Sequence, residues 1–476
     1  MELSRILNAL SPELIVTGVA LLLVLLHLMV RRLPSKTAGW ITVIGLIGAG
    51  LAAANLWGTN ETFLYEAFRV DGFAIAFKEM FIIGAILVVL SSFEYVSELL
   101  EYQAEFYSIL LSATAGMMLM VSAVDLVTIF VSLELTTISF FILTAYLRGD
   151  VKSTEGGLKY LLYGGLSSAL LLYGMSLVYG MTATTHLAGI TAALAGQPLQ
   201  PLLLIGVIFI LAGFGFKIAV VPFHMWSPDV YEAAPTPVTA YLAVASKAAG
   251  LAVLVRLMML SFATARAEWT ALLAVLSAIT MIVGNVVAIP QTNIKRMLAY
   301  SSIAHAGYLL VGFVAINTAG VAAIIFYSFL YVVSNLGAFI VAIIYGKLAG
   351  SDEIKDYAGL SRRNPLLAAT MLVALLSLGS IPPLAGFVGK FSLFAAAVEQ
   401  GYIWLALVGT ITSVISTYYY LMVAKAMYID PPASDAPLRV GGAAKLAIVL
   451  TVAGILVFGI LPGQLLKLAA AAAQIF

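Results

Sequence analysis

Three lysines and one glutamate carry the chemistry this sequence offers. Lys217, Lys247, Lys390 and Glu134 each sit in a long apolar run. Glu134 lies in Phe130–Val–Ser132–Leu–Glu134–Leu–Thr136–Thr137, eleven residues after Ala123 and thirteen before Leu147. That is near mid-membrane, with Ser132, Thr136 and Thr137 as neighbouring hydroxyls. Lys217 lies in Gly213–Phe–Gly215–Phe–Lys217–Ile–Ala–Val–Val–Pro222–Phe–His224. Pro222 has no N–H, so the carbonyl of Ile218 loses its helical partner beside an ammonium. Lys390 follows Ile381–Pro382–Pro383–Leu–Ala–Gly386–Phe–Val–Gly389, where the prolines free the carbonyls of Leu378 and Gly379. Lys247, in Val244–Ala–Ser246–Lys247–Ala–Ala–Gly250, is eleven residues into its run. A lysine at the centre of a membrane helix costs about 2.5–3.5 kcal/mol on insertion scales, so it faces a bundle interior or a water path. Broken backbone at that depth is tolerated only where protein or water satisfies it. Buried Lys and Glu change their proton affinity strongly with hydration and neighbouring charge. A row of them joined by water can pass a proton. Two Gly/Pro-interrupted segments in separate parts of a chain point to inverted repeats around an ion path.

Other charged residues have plainer readings. Lys159 begins its run in Gly156–Gly157–Leu158–Lys159–Tyr160 and alone reads as an anchor at a membrane boundary. His224 and His305 read as satisfied core histidines. Asp229 and Glu232, in Trp226–Ser–Pro–Asp229–Val–Tyr–Glu232, read as solvated loop residues. Glu94, Glu98, Glu101 and Glu105 fall at i, i+4, i+7 and i+11, an acidic helix face suited to an interface. Lys78 and Glu79 are adjacent near the outer end of a span, where they can pair with loops or with a partner chain.

The elements that position these residues follow from composition. Of 476 residues, 62% are hydrophobic and 10% charged, with mean hydropathy +1.06. A soluble globular chain carries about 25% charged residues, so a soluble enzyme and a disordered chain are both excluded. Without cysteine there are no disulfides, thiolate metal sites or iron–sulfur clusters in the chain. Basic and acidic residues nearly cancel, 24 against 23, which leaves no basic surface for nucleic acid. The runs are continuously apolar, so the expected fold is an all-α polytopic membrane protein rather than a β-barrel. Fourteen spans are expected, at 12–30, 37–57, 72–92, 104–121, 123–147, 157–180, 202–223, 236–260, 268–289, 294–315, 320–346, 364–399 (interrupted), 402–428 and 443–463. Arg31, Arg32 and Lys36 follow the first span, and with the N-terminus outside most loop Lys/Arg, Lys295 among them, fall on the cytoplasmic face. Arg256 is among the few assigned to the outer face. Fourteen spans also leave the C-terminus outside.

The motifs bring a resemblance. The strings Phe214–Gly–Phe–Lys217–Ile–Ala–Val–Val–Pro222–Phe–His–Met–Trp–Ser–Pro–Asp229–Val–Tyr–Glu–Ala–Ala–Pro–Thr–Pro–Val238, Gln291–Thr–Asn–Ile–Lys295–Arg–Met–Leu–Ala–Tyr–Ser–Ser–Ile–Ala–His305–Ala–Gly–Tyr308 and Gly386–Phe–Val–Gly–Lys390–Phe resemble the antiporter-like membrane subunits of the proton-pumping NADH:quinone oxidoreductase, respiratory complex I. Length and wording bring the chain nearest the N branch. The strings are shared more loosely with multisubunit cation/proton antiporters. The resemblance implies two inverted five-helix repeats, helices 4–8 and 9–13, with helices 7 and 12 broken. The corresponding units are 1–103, 104–265, 266–428 and 429–476. It implies a Glu134–Lys217 pair, a family lysine at Lys159, a connecting lysine at Lys247, the twelfth-helix lysine at Lys390, and histidines of the water path at His224 and His305. Lys78 and Glu79 stand outside the family pattern.

The function so implied is proton translocation driven by quinone reduction elsewhere in a complex. This chain would hold no metal or cofactor, while NADH, FMN, iron–sulfur clusters and quinone would belong to partner subunits. The partners would be other membrane-arm subunits and the lipid of a bacterial plasma membrane. The alternative is a subunit of a cation/proton antiporter or membrane-bound hydrogenase, and a third reading is a structural membrane spacer.

Overall fold

The computed structural model describes residues 2–29, 34–198, 200–315, 317–432, 434 and 436–476. Arg31 and Arg32, which anchor the expected orientation, lie outside these. A short helix α1 (Glu2–Ala9) precedes α2 (Ser11–Met29) and α3 (Ser35–Asn55). An antiparallel hairpin, β1 (Glu61–Phe63) and β2 (Phe68–Val70), leads into α4 (Gly72–Leu99). There follow α5 (Gln103–Ser122), α6 (Leu126–Thr144), α7 (Val151–Thr182), a short α8 (Leu187–Leu194), α9 (Pro201–Ile218) and α10 (Trp226–Ala233). Next, α11 (Thr236–Tyr241) joins α12 (Lys247–Ser261) through a π-helical turn, Leu242–Ser246, to make one continuous span. The second half holds α13 (Arg266–Ala288), α14 (Ile294–Val314), α15 (Thr318–Ala349), α16 (Leu360–Arg363), α17 (Pro365–Leu378), α18 (Ala385–Glu399), α19 (Ile403–Tyr428), α20 (Gly442–Ile460) and α21 (Gly463–Ala473).

Among the described residues, thirteen helices are long and apolar enough to cross a membrane. The α17–α18 pair supplies the interrupted fourteenth span. The expected spans fall within a few residues of these helices, apart from the overhanging ends of α4 and α7 and the earlier end of α9, at Ile218 rather than 223. Short polar residues set the starts. Asp71, Asp125, Asp150, Asn293, Asn317 and Asn364 each accept a hydrogen bond from a backbone N–H in the first turn of α4, α6, α7, α14, α15 and α17. Each such cap satisfies donors that lipid cannot.

The core runs along α11–α12, α14 and α15, which are buried over almost their whole length, while α2, α7 and α20 turn Leu21, Leu25, Leu162, Leu166 and Val449 outward. Lipid is as apolar as leucine, so helix contact depends on close backbone packing. At Gly174 an added Cβ would stand 2.7 Å from the carbonyl oxygen of Gly206, so α7 and α9 touch backbone to backbone there.

Several expectations change. The acidic series is not one helix face: α4 ends at Leu99 and α5 begins at Gln103, with Glu101 in the turn between. Two of its members find partners within the chain, Glu98 with Lys347 at 2.7 Å and Glu105 with His27 at 3.0 Å. Arg256, assigned to the outer face, is fully buried, and both its terminal nitrogens donate to Asp71 at 2.8 Å. Lys295 is buried too, donating to the Ala234 carbonyl at 3.1 Å and paired with Asp352 at 3.2 Å. Lys78 pairs not with a loop but with buried Glu13 in the first turn of α2, at 2.7 Å. The β hairpin and α21 carried no sequence expectation. Pattern favours long periodic runs and misses three-residue strands.

Candidate functional site

The first broken span positions Lys217. Helix α9 stops at Ile218 because Ala219 turns left-handed, φ +58°. The end is closed by two bonds, Ala219 N–H to the Phe216 carbonyl at 3.0 Å and Val220 N–H to the Gly215 carbonyl at 2.8 Å. The break therefore comes before Pro222, as a Schellman-type end rather than a proline kink around Ile218. The second broken span ends alike. Ser380 has φ +62°, its N–H bonds the Ser377 carbonyl at 2.9 Å, and Ile381 N–H bonds the Leu376 carbonyl at 3.0 Å. Here the freed carbonyls are as expected. Leu378 accepts from Lys390 Nζ at 3.1 Å, and Gly379 from the Thr417 hydroxyl at 3.3 Å. Gly386 sits directly on the end of α17, where an added Cβ would lie 1.9 Å from the Ser377 carbonyl oxygen.

Lys217 is buried, and Nζ donates to the Thr137 hydroxyl at 2.9 Å. Glu134, half-buried one turn earlier on α6, accepts instead from the Ser168 hydroxyl of α7. The two feel each other's charge but share no ion-pair contact, so the pair implied by resemblance bonds here to two different hydroxyls. Lys217's stem packs on Gly250, where an added Cβ would lie 2.9 Å from its Cγ. Gly250 is three residues beyond Lys247 on α12.

Lys247 is buried, and its Nζ has no hydrogen-bond partner. It lies 5.6 Å from the ring centroid of Tyr231, a cation–π contact. The π-helical turn just before it is a feature common at functional positions. His224, between α9 and α10, is half-buried with an unpartnered Nδ1. Burial lowers its proton affinity, and the charge of Lys247 adds to that. Contrary to the core-histidine reading, it is only partly satisfied. His305 fits that reading, being buried with Nδ1 2.5 Å from the Tyr327 hydroxyl and Nε2 3.4 Å from that of Tyr420. Lys390 donates also to the Ser413 hydroxyl at 2.9 Å and lies 4.1 Å from the Tyr308 ring centroid.

Lys159 stands apart from this buried row. It is 40% exposed and pairs with Glu155 at 2.9 Å and Asp229 at 3.0 Å. Asp229 and Glu232 are helical residues of α10, not free loop residues, and both meet Arg296, at 2.8 and 3.1 Å. Burial alone would raise the Asp229 carboxyl, but Lys159 and Arg296 outweigh it and hold it below the usual carboxylate range. These side chains line a surface cavity of about 170 Å³. Beneath it Tyr160 stacks on Trp226 at 4.6 Å, and Trp226 Nε1 donates to the Phe216 carbonyl at 3.0 Å.

Sequence reasoning missed the tyrosines. Tyr231, Tyr308, Tyr327, Tyr331 and Tyr420 are buried around Lys247, His305 and Lys390. Their one available signal was a polar tip on an aromatic ring within the two long motif strings. Among the described residues no three His, Asp or Glu side chains converge to hold a metal.

Residues 123–416 match the family described as "NADH:quinone oxidoreductase/Mrp antiporter, TM". The chain belongs to this family. The matched segment of this NADH:quinone oxidoreductase/Mrp antiporter membrane family contains Glu134, Lys159, Lys217, His224, Lys247, His305 and Lys390, whereas Glu13, Asp71 and Lys78 precede it. Over 469 residues, 98% of this chain and 99% of the relative, it is 50% identical to the NADH-quinone oxidoreductase subunit N of Heliobacterium modesticaldum. It is also 50% identical to the subunit of that name from Desulforamulus reducens, over 100% of this chain and 99% of the relative. A chain in the structure of respiratory complex I from Thermus thermophilus with bound aureothin superposes with TM-score 0.82 at 34% identity, covering 96% of this chain and 99% of that one. A chain of the Mrp complex from Dietzia, at TM-score 0.88 and 20% identity over 98% and 97%, shares the fold.

Proposed function

We propose that this chain is the proton-translocating membrane subunit of a bacterial NADH:quinone oxidoreductase, complex I. The observation that carries the reading is the buried row Lys217, Lys247, His305 and Lys390, held among hydroxyls and rings; among the described residues no acidic side chain contacts any of the three lysines. An ammonium so held is poised to release its proton when its surroundings change. The chain supplies no redox chemistry. NADH, FMN, iron–sulfur clusters and quinone belong to partner subunits, and other membrane-arm subunits flank this one. The fourteen spans favour an arrangement with both termini outside the plasma membrane. The matching ends of α9 and α17 favour two inverted repeats, 104–265 and 266–428, between N-terminal (1–103) and C-terminal (429–476) helices.

In this reading a signal from quinone reduction changes the separation of Glu134 and Lys217. A carboxylate drawn against Lys217 holds its proton, and one withdrawn releases it. Lys217 exchanges with Lys247 across the Gly250 contact, and the proton passes by His305 to Lys390. The surface network of Lys159, Asp229 and Arg296 would supply protons on the cytoplasmic side, with His224 between that side and Lys247. Lys217→Ala in reconstituted complex is expected to lower the protons moved per electron and to slow quinone reduction with it. Pumping and turnover both unchanged would remove Lys217 from the path.

A further inference from the structure

The buried row ends at Lys390, and the groups around that lysine differ in what they can do with a proton. Among the described residues Lys390 Nζ has three close partners: the Leu378 carbonyl at 3.1 Å, the Ser413 hydroxyl at 2.9 Å, and the Tyr308 ring, 4.1 Å from its centroid. A carbonyl oxygen and a ring face can hold an ammonium, but they have no proton of their own to pass on. A hydroxyl accepts one proton and donates another. Ser413 of α19 is buried, and its hydroxyl donates onward to that of Ser380 at 3.3 Å. Ser380 is the left-handed residue, φ +62°, that closes α17 at the second break. Among the described residues its own hydroxyl donates to no protein group. Lys390 and both serines line one cavity of about 340 Å³ between this break, α18 and α19. Thr417 and Thr410 line it too, and their hydroxyls donate to the carbonyls of Gly379 at 3.3 Å and Ala406 at 2.9 Å. That leaves their oxygens as acceptors. A water needs about 10–15 Å³ of such space and two to four polar partners, so the cavity admits several. Thr410 is exposed, in the part of α19 nearest its start at Ile403 and the α18–α19 connection.

We propose that Ser413 and then Ser380 carry the proton of Lys390 into this cavity, which is its way out of the subunit past Thr410. The inference rests on the proton-path reading above and adds the step after Lys390. One Nζ–H bond breaks and Lys390 becomes a neutral amine. Ser413 Oγ bonds that proton and releases its own to Ser380 Oγ, and Ser380 releases its own to water in the cavity. Neither hydroxyl is left charged. The water becomes hydronium, so one positive charge has moved and no oxidant or reductant is consumed. Each hydroxyl turns about a single bond to reset for the next proton. The second break then serves two purposes. The Leu378 carbonyl that it frees holds the ammonium, and the left-handed turn that makes it sets Ser380 against Ser413 for the release.

The test uses the whole complex in sealed vesicles, measuring protons moved per electron and the solvent deuterium isotope effect on turnover. Ser413→Ala is expected to slow coupled proton transfer about tenfold or more and to raise the isotope effect, with Ser413→Thr restoring both because it keeps the hydroxyl. Ser380→Gly is expected to reproduce the loss. Glycine takes a left-handed position without strain, so this variant removes the hydroxyl and keeps the turn, and it decides the matter should Ser413→Ala fail to assemble. Normal pumping in Ser413→Ala or in Ser380→Gly, alongside lost pumping in Lys217→Ala, overturns the inference and leaves the path reading standing. Normal pumping in Lys217→Ala as well overturns the path reading itself. Loss in Ser413→Ala and Ser413→Thr alike with an unchanged isotope effect marks a packing role and also overturns the inference.

Discussion

Lys247→Met strengthens the fold and stops proton transfer: two changes of opposite sign from one substitution. Lys247 is 4% exposed, its ammonium donates to no protein group among the described residues, and the Tyr231 ring lies against it. Removing an ammonium from water costs several kcal/mol even after relaxation. A cation–π contact at 5.6 Å returns about 0.5–2 kcal/mol. Methionine keeps the unbranched length and adapts to the same space, so it removes the cost and retains most of the packing. The expected gain in unfolding free energy is about 1–4 kcal/mol, the range seen when buried charges give way to apolar side chains. Proton transfer through the subunit falls about 100-fold or more, because no other group at that point can hold the proton. Thermal unfolding of the purified complex reads the first effect, and pumping in vesicles the second. Lys390→Met is the internal control. Lys390 donates to the Leu378 carbonyl and the Ser413 hydroxyl, so its removal strips the Leu378 carbonyl of that donor, leaves Ser413 only its bond to Ser380 at 3.3 Å, and yields no gain in stability with a similar loss of pumping. A purely structural spacer would show the stability gain at Lys247 with pumping intact. A destabilised Lys247→Met would mean that the ammonium is compensated after all.

The same contrast explains what was legible in the sequence. Apolar run length gave the spans, because lipid forces every backbone group into a helix and the cost of a buried charge marks exceptions such as Lys217, Lys247 and Lys390. Proline chemistry foretold the free Leu378 carbonyl and its neighbour Gly379, since a missing N–H is a local fact. At the other break it pointed to Ile218, where α9 ends, but did not show that a left-handed Ala219 closes the helix before Pro222 is reached. Partners were not legible. Whether Lys78 meets a loop or Glu13, whether Asp229 is solvated or clasped by Lys159 and Arg296, and whether Glu134 touches Lys217 or Ser168 depend on how distant segments pack. The tyrosines escaped because a buried Tyr looks apolar in a hydropathy pattern and polar only when its hydroxyl's neighbours are known. Arg256 was misread for a related reason. Four residues before the end of its expected span, at 260, it looks like a boundary anchor unless Asp71, far away in the chain, is seen to reach it.

That pair gives the second large effect. Asp71→Ala is expected to cost about 3–5 kcal/mol, the usual penalty for stripping one partner from a buried ion pair. Arg256 is 0% exposed and both its terminal nitrogens donate to the Asp71 carboxylate at 2.8 Å, with Arg69 a further 3.4 Å contact to the same group. Asp71 also caps α4, accepting from the Ala74 N–H at 2.8 Å, so about 1 kcal/mol of the loss is the cap alone. Burial would raise the Asp71 carboxyl, but Arg256 beside it prevails and holds it below the usual range. Its folded value is depressed, so this stabilisation is fully present above the ordinary carboxylate value and fades only as pH falls through the lower folded one. The pair is thus intact at any physiological pH, and the loss is measurable in neutral buffer. Asp71→Leu combined with Arg256→Met is expected to recover most of it, leaving the cap deficit. Thermal unfolding of single and double variants gives the coupling directly, and a double-variant loss equal to the sum of the two single losses would mean the charges are not coupled. The consequence reaches the proton path through α12. Arg256 lies nine residues beyond Lys247 on that helix, so a rigid α12 carries a displaced Arg256 end into a displaced Lys247. The single variant should therefore lose pumping in proportion to the disorder of α12, and the double variant, which restores packing without restoring charge, should regain it.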